Sequence, residues 1–149
     1  MLFDKLQQIY ADIGWDMVQV PNENILSTTY GGKNRNWTFV VTTDEPNRVM
    51  AMFSRLPFSC PPERFDALSQ FMEKANFGMS HGAWVMDRSD GEVRFRVGVD
   101  MGGVELNVAY VKQLTLYTNM TMEFYLPAMQ AIVEDSKSVE EALDITFAS

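Results

Sequence analysis

The chain has almost none of the residues from which metal centres and covalent sites are built. It holds one cysteine, Cys60, and one histidine, His81, in 149 residues. A single thiol excludes an internal disulfide and a cysteine-based zinc site, and a single imidazole leaves no histidine pair for a metal. Positive charge is also scarce: 12 Lys and Arg stand against 20 Asp and Glu, a net charge of −8. Phosphates and anionic membrane surfaces both demand clustered cations, so neither nucleic acid nor membrane is expected as a partner. No apolar run reaches the length of a membrane span. The start of the chain, Met1 to Gln8, has an acid and polar residues where a signal peptide needs an apolar core. A cytoplasmic protein is therefore expected.

What the chain does have is apolar residues, at 46% of the total, which excludes a disordered chain. Its length fits one domain, residues 1–149, with a single core.

Leu2, Phe3, Leu6, Ile9, Tyr10 and Ile13 recur at helical spacing, and Gly14 is a suitable stop. Four strands are expected next, over 15–20, 25–30, 37–43 and 48–53, separated by the turn signals Pro21–Asn24, Gly31–Asn34 and Asp44–Asn47. After Pro61-Pro62 a helix carries Phe65, Leu68, Phe71, Met72 and Ala75 on one face, closing at Asn76 or Gly78. A second hairpin follows, 83–86 and 92–99, in which Val93, Phe95, Val97 and Val99 point one way and Glu92, Arg94 and Arg96 the other. Val104–Leu106 reads as a short further strand. Residues 107–134 are helical, with Pro127 expected to end or bend the helix. Ser138-Val139-Glu140-Glu141 is a capping box opening a short last helix. This order makes an α+β fold: helix, antiparallel strands, helix, antiparallel hairpin and C-terminal helices, with the helices on one face of the sheet.

From Leu56-Pro57 to Leu143 the residues form an ordered series. It runs Ala75-Asn76-Phe77-Gly78-Met79, Gly82-Ala83-Trp84, Met86-Asp87 and Asp90-Gly91-Glu92-Val93-Arg94-Phe95-Arg96. Tyr125-Leu126-Pro127-Ala128 and Ser138-x-Glu140-Glu141-Ala142 complete it. In this series the chain resembles the YbjN family of bacterial proteins, described as candidate sensory-transduction regulators. Val85 and His81 depart from the family pattern, standing where an acidic and an aliphatic residue are usual. The resemblance implies a fold similar to that of type III secretion chaperones, small acidic dimers that bind extended segments of client proteins. It implies a homodimer and brings no catalytic residues.

Single candidates reduce to structural roles. Asp87-Arg-Ser-Asp-Gly91 lacks the carboxylate spacing and the distant Glu of a calcium loop, and reads as a hairpin turn. Gly31-Gly32-Lys33 lacks the spacing of a phosphate loop. Cys60 is expected to be buried rather than reactive, and His81 to lie at the surface. The sequons at Asn36 and Asn119 have no meaning without a secretory route.

Two strands are apolar on both faces. Val49, Ala51 and Phe53 oppose Met50 and Met52, and Ala83 and Val85 oppose Trp84 and Met86. A sheet with one wet face should alternate with polar residues, so both faces are expected to be covered, one of them by another chain. Met adapts to irregular partners, and eleven Met occur here. Trp84, Met86, Met50 and Met52 are thus candidate contacts, with Arg94 and Arg96 as candidates for carboxylates of a partner. The expected function is a non-enzymatic protein-interaction module, a homodimer binding a protein or peptide client, with no cofactor, metal or catalytic site. The alternative is a small-molecule sensor or enzyme with a pocket near Trp15, Trp37 and Tyr125.

Overall fold

The structure is a computed structural model, and it describes residues 1–147. Helix α1 (Leu2–Asp12) opens the chain. Strands β1 (Val18–Gln19), β2 (Ile25–Gly31), β3 (Asn36–Asp44) and β4 (Val49–Arg55) follow as a meander. A 3₁₀ turn at Pro62–Arg64 leads into α2 (Phe65–Phe77). The hairpin of β5 (Ala83–Asp87) and β6 (Glu92–Asp100) precedes the helices α3 (Val108–Val133) and α4 (Val139–Phe147). The six strands form one antiparallel sheet in the order β1-β2-β3-β4-β6-β5, so α2 carries the chain over from β4 to the far edge.

Register divides the sheet into two faces. Met52 pairs with Val41 on one side and Val97 on the other, and Phe95 pairs with Ser54 and Trp84. These residues share a face with Trp37, Phe39, Met50 and Val93, and all are buried. Helices α1, α2 and α3 lie over this face, and α4 packs against α2 and α3. Each large side chain placed there contributes roughly 1.5–3 kcal/mol of burial.

A line of polar groups runs through this apolar layer. Asn119 Oδ1 accepts from Trp37 Nε1 and from Ser54 Oγ, both at 2.9 Å. Asn119 Nδ2 donates to the Thr115 carbonyl at 2.9 Å, and Thr115 Oγ1 lies 2.7 Å from Tyr10 Oη. Burial outweighs the Thr115 hydrogen bond and pushes the Tyr10 phenol well above its usual range. Because all the polar atoms named here are partnered, this network fixes where α1 and α3 sit on β3 and β4.

The caps follow the sequence. Gly14 leaves α1 at φ +80. Asn107 Oδ1 accepts from the Tyr110 amide at the start of α3. Ser138 and Glu141 bond reciprocally at 3.1 and 3.2 Å, as the capping box requires. Hydrogen bonds to the carboxyl itself, from the Ser138 amide first and the Ser138 hydroxyl second, hold Glu141 below the usual carboxylate range.

Three expectations are corrected. The first strand is shorter than 15–20, because the Trp15 amide still bonds back to Tyr10 and the chain is turning out of α1. Val104–Leu106 forms no strand: Val104 N–H closes a turn on Met101, and buried Leu106 anchors the approach to α3. Pro127 does not end the helix. It is exposed within α3, which continues past it to Val133.

Candidate protein-binding surfaces

Of the residues expected as contacts, Met50, Met52 and Trp84 are buried at 0%, 0% and 2% exposure. They are core, covered by the chain's own helices. Trp84 packs against Phe95 and Tyr125, with ring centroids 5.3 and 5.7 Å apart. Its Nε1 has no partner among the described residues. Met86, on the same face, is half-buried and lines a cleft between α2 and β5 with Ser69, Asn76 and Arg88.

The other sheet face is the one left open. Its centre is Val40, Ala51, Phe53, Ala83 and Val85, all half-buried, with Thr38 and Thr42 beside them. Arg94 lies on this face with its guanidinium 4.1 Å above the Phe53 ring, and donates to the Glu92 carboxylate. Arg55 approaches the same carboxylate at 3.5 Å. Arg96 stands opposite Phe53 and Ala83 in register and is exposed, with no ion pair among the described residues. The two arginines therefore differ: Arg94 is spent on a local cluster, and Arg96 is free.

A second surface was not legible as a site in the sequence. Leu116, Met120 and Phe124 recur every fourth residue along α3 and are 38%, 64% and 56% exposed. Ala109, Lys112 and Gln113 extend this stripe toward the start of α3. Beside it lies a trough of about 660 Å³, with His81 and Tyr117 among its lining residues. The His81 and Tyr117 rings stack at 4.0 Å, and Tyr117 Oη donates to the His81 carbonyl at 2.8 Å, which pins the loop before β5 to α3. A second depression, lined by Met79, Tyr117, Met120 and Phe124, continues the trough. The signal present in the sequence was Leu116, Met120 and Phe124 at helical spacing on the side of α3 away from its buried stripe of Val111, Leu114, Met122 and Met129.

The remaining candidates are structural. Cys60 is buried, and that burial pushes its thiol up, away from the thiolate. The pocket imagined around Trp15, Trp37 and Tyr125 does not form as one. Trp15 lines a cleft with Tyr10 and Leu26, whereas Tyr125 packs with Trp84 and Phe71. Among the described residues no group of His, Cys, Asp and Glu is placed to hold a metal ion. No helix among the described residues is long and apolar enough to cross a membrane.

No family model matches the chain, and no curated protein matches it in sequence. Solved structures do match in shape. YbjN from E. coli, a candidate transcription regulator, superposes with a TM-score of 0.67 over 89% of this chain and 92% of its own, at 10% identity. ExsC in its complex with ExsE gives 0.64 over 85% and 94%, and 10% identity. The Yersinia pestis type III secretion chaperone SycH, bound to a fragment of YscM2, gives 0.55 over 85% and 99%, again at 10% identity. The chain has the fold of YbjN and the type III secretion chaperones. At this identity the likeness is one of fold, and it bears out the architecture that the motif series implied.

Proposed function

We propose that the protein is a non-enzymatic protein-interaction module, chaperone-like or regulatory, that acts as a cytoplasmic homodimer and binds a protein client on the open face of its sheet. The observation that carries this reading is the band of Val40, Ala51, Phe53 and Val85, over which no helix lies among the described residues. Two neighbours in fold, ExsC and SycH, were each solved with a protein bound, which supports a protein as the ligand class here. An apolar segment of a client would lie over Phe53 while Arg96 takes a client carboxylate.

The test is paired capture from native lysate with wild type and with the double variant Phe53→Asp, Arg96→Glu. A defined client held by wild type and lost from the folded variant supports the reading. Equal capture by both removes the sheet face, and no reproducible client for either removes the function.

A second reading, a small-molecule sensor, is favoured by the trough beside Leu116 and Met120, whose volume lies in the range of ligand sites. A thermal-shift screen against metabolites separates it: a rise of several degrees with one compound would favour the sensor.

A further inference from the structure

Helix α3 is electrically unlike the rest of the chain. Across Val108–Val133 it carries two charged residues, Lys112 and Glu123, in a protein of net charge −8. Two copies of so acidic a chain repel one another over most of their surface. The α3 stripe is a place where they can meet without like charges facing.

The two charges also stand in a particular relation. Eleven positions separate them, about three helical turns, so both lie along the same side of the helix, one at each end of the stripe. Leu116 and Met120 lie between them. If a second α3 is laid antiparallel about a twofold axis near residue 118, Leu116 meets Met120 of the partner subunit. Lys112 then reaches the partner's Glu123, and the reciprocal contacts follow by symmetry. A parallel arrangement brings Lys112 to Lys112 and gains nothing. The stripe is thus its own complement in one orientation.

We infer that the exposed stripe of α3 seats a second copy of this chain, with the two helices antiparallel and Lys112 facing Glu123 across the interface. This rests on the homodimer in the proposed function, names the surface that makes it, and leaves the open sheet face to the client.

The test is light scattering at micromolar concentration on the full chain, with circular dichroism to confirm folding. Wild type should show about twice 17.0 kDa, and Met120→Glu, at an exposed position, should show 17.0 kDa with its helical spectrum intact. Lys112→Glu and Glu123→Lys should each weaken the dimer by about tenfold or more, and the double exchange should recover most of that loss. Glu123 also accepts the Lys33 amide within its own chain, and the double exchange does not rebuild that bond, so recovery reports the contact between copies. A Met120→Glu protein that remains dimeric overturns the α3 interface and leaves the homodimer standing. A double exchange without recovery overturns the antiparallel pairing. A monomeric wild type removes both the interface and the homodimer. If only a client then shields the stripe from a hydrophobic dye, the stripe belongs to the client.

Discussion

The carboxamide of Asn76 makes the two backbone hydrogen bonds that the outer edge of the sheet leaves open at Trp84. Its Oδ1 accepts from the Trp84 amide at 2.7 Å, and its Nδ2 donates to the Trp84 carbonyl at 3.0 Å. Strand β5 is the last in the sheet, so the side of Trp84 that faces away from β6 has no neighbouring strand. A side chain from the last turn of α2 takes the place of one, and at the same time ties helix to sheet.

Asn76→Ala should therefore do two things. It should lower stability by about 1–3 kcal/mol, since two partly buried backbone groups lose their partners. It should also open the β5 edge to pairing with other chains. Urea denaturation reads the first, and dynamic light scattering on warming reads the second. A variant as stable as wild type, with no rise in association, would show that the clamp is ornamental.

The relation explains why Asn76 and Trp84 both appear in the motif series read from the sequence. It also shows where that reading stopped. Strand alternation was legible, and so were the caps at Gly14 and at Ser138 with Glu141, because each depends on residues within a few positions of one another. Which face of β4 meets the helices was not. Val49, Ala51 and Phe53 are as apolar as Met50 and Met52, so the strand alone gives no preference. The choice comes from the register with Phe39 and Val41 on β3 and with Phe95 and Val97 on β6. The argument that one face lacks cover survives, but the uncovered side is that of Phe53 rather than Met52. Asn119 was visible only as part of a sequon, since nothing local announces its bond to Trp37, 82 positions away.

Asn119→Leu should be among the most damaging substitutions of similar size. It leaves Trp37 Nε1 without an acceptor and deprives Ser54 Oγ of its 2.9 Å partner, both in a buried layer. A loss of about 2–5 kcal/mol in chemical denaturation is expected. Pairing it with Trp37→Phe should be less than additive, because the second change removes the donor that the first strands.

Gly91 is required by both its backbone and its surroundings. Its φ is +79, and a Cβ there would stand 2.1 Å from the Cys60 carbonyl oxygen. The Cys60 amide donates to the Gly91 carbonyl at 2.9 Å, so the β5–β6 turn and the strap before α2 cannot simply separate. Gly91→Ala should cost more than about 1 kcal/mol, read as a fall in thermal midpoint. By contrast, Gly103→Ala, at φ +75 with open space around it, should show the backbone strain alone.

Glu45 gives the fold a pH dependence of known sign. Met1 provides no side-chain cap for α1, and the Glu45 carboxylate does so instead, accepting from the Phe3 amide at 2.7 Å and the Leu2 amide at 3.1 Å. Burial alone would raise its pKa. The Phe3 and Leu2 amides and the Thr43 hydroxyl outweigh that, and the net direction is downward. A carboxyl with a lowered folded pKa releases its proton more readily in the folded state. Its contribution is therefore complete above the usual carboxylate range and is lost as pH falls through that range to the folded value. Replacing it by Glu45→Gln should cost about 1 kcal/mol at neutral pH, the usual worth of a helix cap. The gap between wild type and variant should then close as the pH is taken from about 6 to about 3. Urea titrations across that series decide it: a gap that stays constant, or widens in acid, would mean that the carboxylate charge at the start of α1 does not stabilise the helix.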